Sequence, residues 1–169
     1  LALRQSVRNL GKQMARDMKF PEWQDAAIRQ LTMDRKSPLF ILSPHSTRLD
    51  DIAAHVQIGS AADSANIGFA IAHEIDSSAP AVKGLGKDEQ ALVKTIAAAL
   101  KEAKQPLIIS GTGSMSPALI DAAANIATAL NTEDKKANIA LITPESNTLG
   151  LALLMGDSTA SLDDAMAGE

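Results

Sequence analysis

The sequence contains no cysteine in 169 residues. Disulfides, thiolate metal sites and iron–sulfur ligation are therefore excluded within this chain, although the absence alone says little about compartment. Aromatic residues make up only 2%: Phe20, Phe40, Phe69 and Trp23, with no tyrosine. An alanine-rich chain with so few rings favours close-packed helices over a β sandwich. No apolar run reaches the roughly 18 residues that a membrane span needs, so no direct membrane insertion is expected. No basic stretch followed by an apolar one has the look of a secretion signal. With a net charge of −4 and a pI near 5.4, the chain lacks the basic footprint of a nucleic-acid binder.

What is present is a well-ordered alternation. Residues 1–19 place Leu3, Val7, Leu10 and Met14 on one helical face, beside a stripe of Arg4, Arg8, Lys12 and Arg16. With Lys19 and only Asp17 opposing, this segment carries +4 in a chain that totals −4. It reads either as a solvated basic face or as a docking face for an acidic neighbour. Phe20-Pro21 closes the helix, and "PEWQDAAIRQL" begins a second with Pro in its first turn. Trp23 is expected to anchor a core or an interface. "SPLFILSP" (37–44) reads as a buried parallel strand. "STRLDDIAAHV" reads as a helix capped by Ser46 or Thr47, and residues 60–75 as another capped by Asp63 or Ser64. Residues 76–86 are turn-rich. An amphipathic helix is expected over 87–104 with Leu92, Ile96, Ala99, Leu100 and Ala103 inside. Strand 105–111, helix 117–130, a polar link at 131–136 and strand 137–143 follow, then a tail of loop and short helices. Alternating strands and helices imply a parallel sheet with right-handed crossovers. The short, continuously apolar strands imply helices on both faces, which makes a three-layer α/β fold.

The chemical candidates are few. Gly111-Thr112-Gly113-Ser114-Met115-Ser116 stands between strand and helix, where backbone amides and a helix N-terminus can hold an anion. The dinucleotide fingerprint fails at Ser116, and the Walker pattern fails for want of Lys-Ser/Thr. A tight strand-to-helix turn also favours glycine without any ligand, and both readings stand. His45, His55 and His73 show no metal-ligand spacing. His45 is the best placed, at the carboxyl end of the first strand. No nucleophile elbow is present. Asp50-Asp51, Glu133-Asp134 and Asp163-Asp164 are consecutive pairs whose side chains diverge on a helix, so they read as solvated charge.

Two segments taken together carry a resemblance. "LFILSPHSTRLDDIAAHVQIGSAADSANIGFAIAHEI" (39–75) and "AKQPLIISGTGSMSPALIDAAANIATAL" (103–130) resemble successive units of the molybdopterin oxidoreductase family, the fold of formate dehydrogenase and DMSO reductase. "ESNTLGLALLMG" (145–156) resembles the Asn-x-x-Gly segment that follows. With "LALRQSVRNLGKQMARDMKFPEWQDAAI" and "GFAIAHEIDSSAPAV" added, the ordered set is similar to the carboxyl-terminal part of the large iron–sulfur subunits of bacterial respiratory complex I.

That resemblance implies a helical segment at 1–36, a Rossmann-like α/β domain at 37–156 and a tail at 157–169, in a chain expected to be truncated. It implies a scaffold role in electron transfer from NADH to quinone, without a redox centre here. The iron–sulfur clusters would lie in the amino-terminal part of the parent chain. Partners would be the other hydrophilic-arm subunits, on the cytoplasmic side of the inner membrane. Active family members carry a Gly-Thr-Asp turn at the guanine nucleotide. This chain has Ser60-Ala61-Ala62-Asp63, so Gly111, Thr112, Gly113 and Asp63 are expected to form a vestigial cofactor site. The alternatives are an active molybdopterin enzyme or the central domain of a thiamine-diphosphate enzyme, whose strand–Gly-x-Gly–helix unit is alike.

Overall fold

The computed structural model describes residues 1–33, 35–132 and 136–155. The acidic pairs Glu133–Asp134 and Asp163–Asp164, and the tail 157–169, lie outside the described residues. Helices α1 (Ala2–Ser6), α2 (Asn9–Asp17) and α3 (Asp25–Thr32) precede strands β1 (Phe40–Ser43) and β2 (His55–Ile58). Then come α4 (Ala61–Ile75), α5 (Lys87–Glu102), β3 (Leu107–Gly111), α6 (Pro117–Leu130), β4 (Asn138–Ile142) and α7 (Thr148–Met155). The protein is α/β, with short parallel strands among helices. β1 pairs with β2 and β3 with β4, both in parallel, as two separate two-stranded sheets among the described residues.

The helical layer α4–α5–α6 holds the core. Ile67, Ala70, Ile71, Leu92, Val93, Ile96, Ala97, Ile126 and Leu130 are buried together, with Ile67 and Ile71 almost fully enclosed. The 3.6-residue period predicts Leu92 and Ile96, while Val93 and Ala97 are buried beside them and widen the covered stripe. Phe40 and Leu42 of β1 and Ile108 of β3 pack onto this same layer, so one helical core serves both strand pairs. Close approach of α4 to α6 depends on Gly68, where an added Cβ would stand 2.9 Å from Cβ of Ala122.

The structure departs from several expectations. The helix expected over "STRLDDIAAHV" is only a 3₁₀ turn at Asp50–Ile52, followed by β2. Neither Ser46 nor Thr47 caps a helix. Thr47 donates from its N–H and its hydroxyl to Asp50 (3.0 and 2.6 Å), which closes a local turn. The Ala54 N–H then bonds to the Leu39 carbonyl at 2.8 Å, committing the chain to pairing beside β1.

The single helix expected over 1–19 breaks at Val7–Arg8. Ser37 takes the Val7 carbonyl through its N–H (2.7 Å) and accepts the Leu10 N–H on its hydroxyl (3.2 Å), so local ladder groups are diverted. α3 starts four residues after Pro21, because the chain turns at Trp23, whose carbonyl accepts the Asp25 N–H. Trp23 itself is 80% exposed and belongs to no core. The caps proposed for residues 60–75 shift too: Ser60 is the N-cap, and Asp63 stands at the third helical position. Among the described residues, helices cover only one face of β3. Ile108 packs on the helical core and Ser110 bonds to α6, while Leu107 and Ile109 on the other side are exposed. The stretch after β4 contributes the eight-residue α7.

Replacing Gly68 by valine should drive a branched side chain into Ala122. The expected loss is about 1–3 kcal/mol, read as a lower thermal midpoint of the chain. An unchanged midpoint would mean that α4 and α6 do not rest on each other at this point.

Candidate functional site

The strand-to-helix turn after β3 is the place to test for a ligand loop. Gly111 ends the strand with extended backbone, and Thr112–Ser114 form a 3₁₀ turn. Met115 follows in the left-handed region (φ 48°), and Ser116 is the N-cap of α6 with Pro117 as its first residue. Thr112, Gly113, Ser114 and Met115 are all exposed. The two glycines have different causes. A Cβ on Gly111 would collide with the backbone carbonyl oxygen of Ile142, so the close passage of β4 requires glycine here. Gly113 stands in open space, with nothing within 4 Å of where a Cβ would be. Ser110 fastens the strand end to α6 by donating from its hydroxyl to the Leu119 carbonyl at 3.2 Å.

The entrance to α6 is poor in amide donors. Pro117 has no N–H, and the Leu119 N–H is already bound to the Ser116 carbonyl at 3.2 Å. No side chain caps this terminus. The helix dipole still points its positive end at the turn.

Asp63 does something else. It forms a capping box with Ser60: the Ser60 N–H and hydroxyl both donate to Oδ2 (3.1 and 2.7 Å), and the Asp63 N–H donates to the Ser60 hydroxyl (3.1 Å). Those donors, the Ser60 hydroxyl foremost, hold the Asp63 carboxyl below the usual aspartate range. Gly111, Thr112 and Gly113 are contiguous on one turn. No hydrogen bond joins them to Asp63 among the described residues, and the polar contacts of Asp63 go to Ser60.

The histidines are dispersed. His45 lies exposed after β1, with its N–H 3.4 Å from the Ser43 hydroxyl. His55 is exposed on β2. His73 Nδ1 sits 2.6 Å from the Ala79 carbonyl, which places a proton on Nδ1. His73 also lines an open groove of about 430 Å³ with Lys83, Gln90 and Lys94, between α4, the 82–85 loop and α5. Sequence reading missed this groove. Its only signal was the turn-rich stretch 76–86, which gave no hint that His73, Glu74, Lys83 and Lys94 line one groove.

The basic stripe of the first helices finds its acidic neighbours within the chain. Arg4 grips Asp51 with two bonds of 2.8 Å and also donates to the Arg48 carbonyl. Arg16 meets Glu22 at 2.6 Å and Arg8 meets Asp25 at 3.5 Å. The guanidinium donors lower the Asp51 and Glu22 carboxyls from their ordinary values. These pairs are exposed, so they orient the helices more than they stabilise them.

No family model matches the chain. It is 48% identical over 170 residues to the G subunit of NADH-quinone oxidoreductase from Pseudomonas putida, covering all of this chain and 19% of the relative. It is 51% identical over 158 residues to the same subunit of Pseudomonas fluorescens (94% of this chain, 18% of the relative). It is 43% identical over 166 residues to that of Escherichia coli K12 (98% and 18%). The sequence matches a segment of this G-subunit family. It spans about a fifth of the length of the curated relatives it matches. The match runs through α1–α3 as well as the strand–helix units, so the helical start and the α/β part align together. No helix among the described residues is long and apolar enough to cross a membrane.

Two outcomes follow. Gly111→Ala should destabilise the chain, while Gly113→Ala should leave its urea midpoint unchanged. Equal tolerance at both positions would deny the β3–β4 contact. Asp63→Ala should lower stability at neutral pH by removing the capping box. Because the folded-state carboxyl is depressed, its contribution is present above the unfolded aspartate pKa and is lost as pH falls through the lower folded value. The gap between variant and parent midpoints should therefore close in acid below the usual aspartate range. A gap constant with pH would exclude the carboxylate as its source.

Proposed function

We propose that this chain works as a structural segment of the large iron–sulfur subunit of NADH-quinone oxidoreductase, supporting electron transfer from NADH to quinone without carrying a redox centre. The observation that carries this reading is the near end-to-end identity of 43–51% with the matched G subunits. It is supported by the lack of cysteine, which leaves cluster ligation to other parts of a longer polypeptide. It is supported as well by Gly111, where the close passage of β4 is by itself enough to require glycine. The Gly111–Thr112–Gly113 turn and Asp63 are then relics of a cofactor-binding ancestor, serving now as a sheet contact and a helix cap.

In this reading β1–β2 and β3–β4 are halves of one Rossmann-like parallel sheet, completed in the assembled protein. The shared helical core beneath Phe40, Leu42 and Ile108 favours that arrangement. Residues 1–36 form a helical segment tied to the α/β part by Arg4–Asp51 and by Ser37. The partners are the other hydrophilic-arm subunits, on the cytoplasmic side of the inner membrane.

Elemental analysis of the intact parent polypeptide, gently purified, tests the proposal. Iron without molybdenum is expected. Molybdenum with a pterin would make Gly111–Gly113 a live cofactor turn and overturn the scaffold role. Neither metal would remove the respiratory reading and bring forward the thiamine-diphosphate alternative.

A further inference from the structure

Apolar side chains of β3, β4 and α7 lack cover among the described residues. On β3 the side away from α6 shows Leu107 at 48% and Ile109 at 37% exposure, and Ile142 of β4, in register with Gly111 on that side, is at 57%. The far edge of β4 has no strand beside it among the described residues. Parallel strands are otherwise buried on both faces, and a two-stranded sheet is marginal by itself. α7 adds to this. Its sequence, TLGLALLM, is apolar around its whole circumference, yet Leu151, Leu153 and Leu154 are 55%, 74% and 86% exposed. A helix without a polar face belongs inside a core.

We infer that the open face and edge of β3–β4, and likewise α7, are docking surfaces for another part of the same longer polypeptide, which lays a strand along β4 and apolar side chains over Leu107, Ile109 and α7. The inference rests on the reading of the chain as a segment of the large iron–sulfur subunit. Two observations choose this occupant. About four fifths of each matched relative lies outside the match, so ample chain is at hand. A helix apolar on all sides needs surrounding on all sides, which the core of a larger chain provides. The flat patch of a second copy would cover only one of them.

The test uses the parent polypeptide within its assembled complex, with a photoreactive benzophenone amino acid in place of Leu153 and, separately, of Ile109. Irradiation should leave the band of the parent polypeptide without added mass, and peptide mapping should find each position joined to a distant stretch of the same polypeptide. A band raised by the mass of another subunit, or by that of a second copy, overturns the inference in favour of those occupants. Failure to cross-link at both positions overturns it in favour of a face left in water. Iron content and NADH:quinone activity of the same preparation report on the functional reading separately, so loss of one does not imply loss of the other.

Discussion

Everything in the α/β part hangs on the contact between α4 and α6. At Gly68 and Ala122 the two helices meet with no side chain larger than a methyl between them. That closeness lets Ile67, Ile71, Ile126 and Leu130 interlock as one buried group, with α5 adding Leu92, Val93 and Ile96. The alanine excess in the composition has its physical meaning here: short side chains bring helix axes together, and dispersion contacts accumulate over a small distance. The strands are guests of this layer. β1 reaches it through Phe40 and Leu42, β3 through Ile108, and neither pair touches the other in a hydrogen-bonded ladder among the described residues.

The amino-terminal helices obey a different rule. They bury Val7, Ala15 and Ile28, and polar contacts tie them further: Ser37 bonds into the α1–α2 junction, Arg4 reaches across to Asp51, and Arg16 pairs with Glu22. Such contacts are directional and weak, which suits a segment that sets orientation more than it adds stability. Three arginines of the basic stripe that a linear reading sees meet acids elsewhere in the chain: Glu22 in the turn before α3, Asp25 at the start of α3 and Asp51 in the crossover after β1.

The strongly periodic elements were legible from residues alone. α6 matches its expected span, residues 117–130, because Pro117 marks its start and alanine-rich helix formers fill it. Strands β1, β3 and β4 fall within their apolar runs. β2 was hidden because "STRLDDIAAHV" carries good helix-start chemistry, and only the neighbouring β1 edge turns His55–Ile58 into a strand. Of the two places expected for Trp23, the core is excluded by its 80% exposure, because the turn after Pro21 lifts the ring outward. The two glycines of the candidate turn were visible, but their separate causes were not. The collision at Gly111 involves the carbonyl of Ile142, on a strand beyond the whole of α6, and no spacing rule reaches that far.

That long-range collision bears on how motifs persist. Glycine at 111 answers to the neighbouring strand, and the demand is the same whether the turn is empty or filled. In this chain the first glycine of the Gly-x-Gly spelling marks the passage of β4, while the second stands in open space. A chain can lose a ligand altogether and still be obliged to write the first letter of the motif that once announced it.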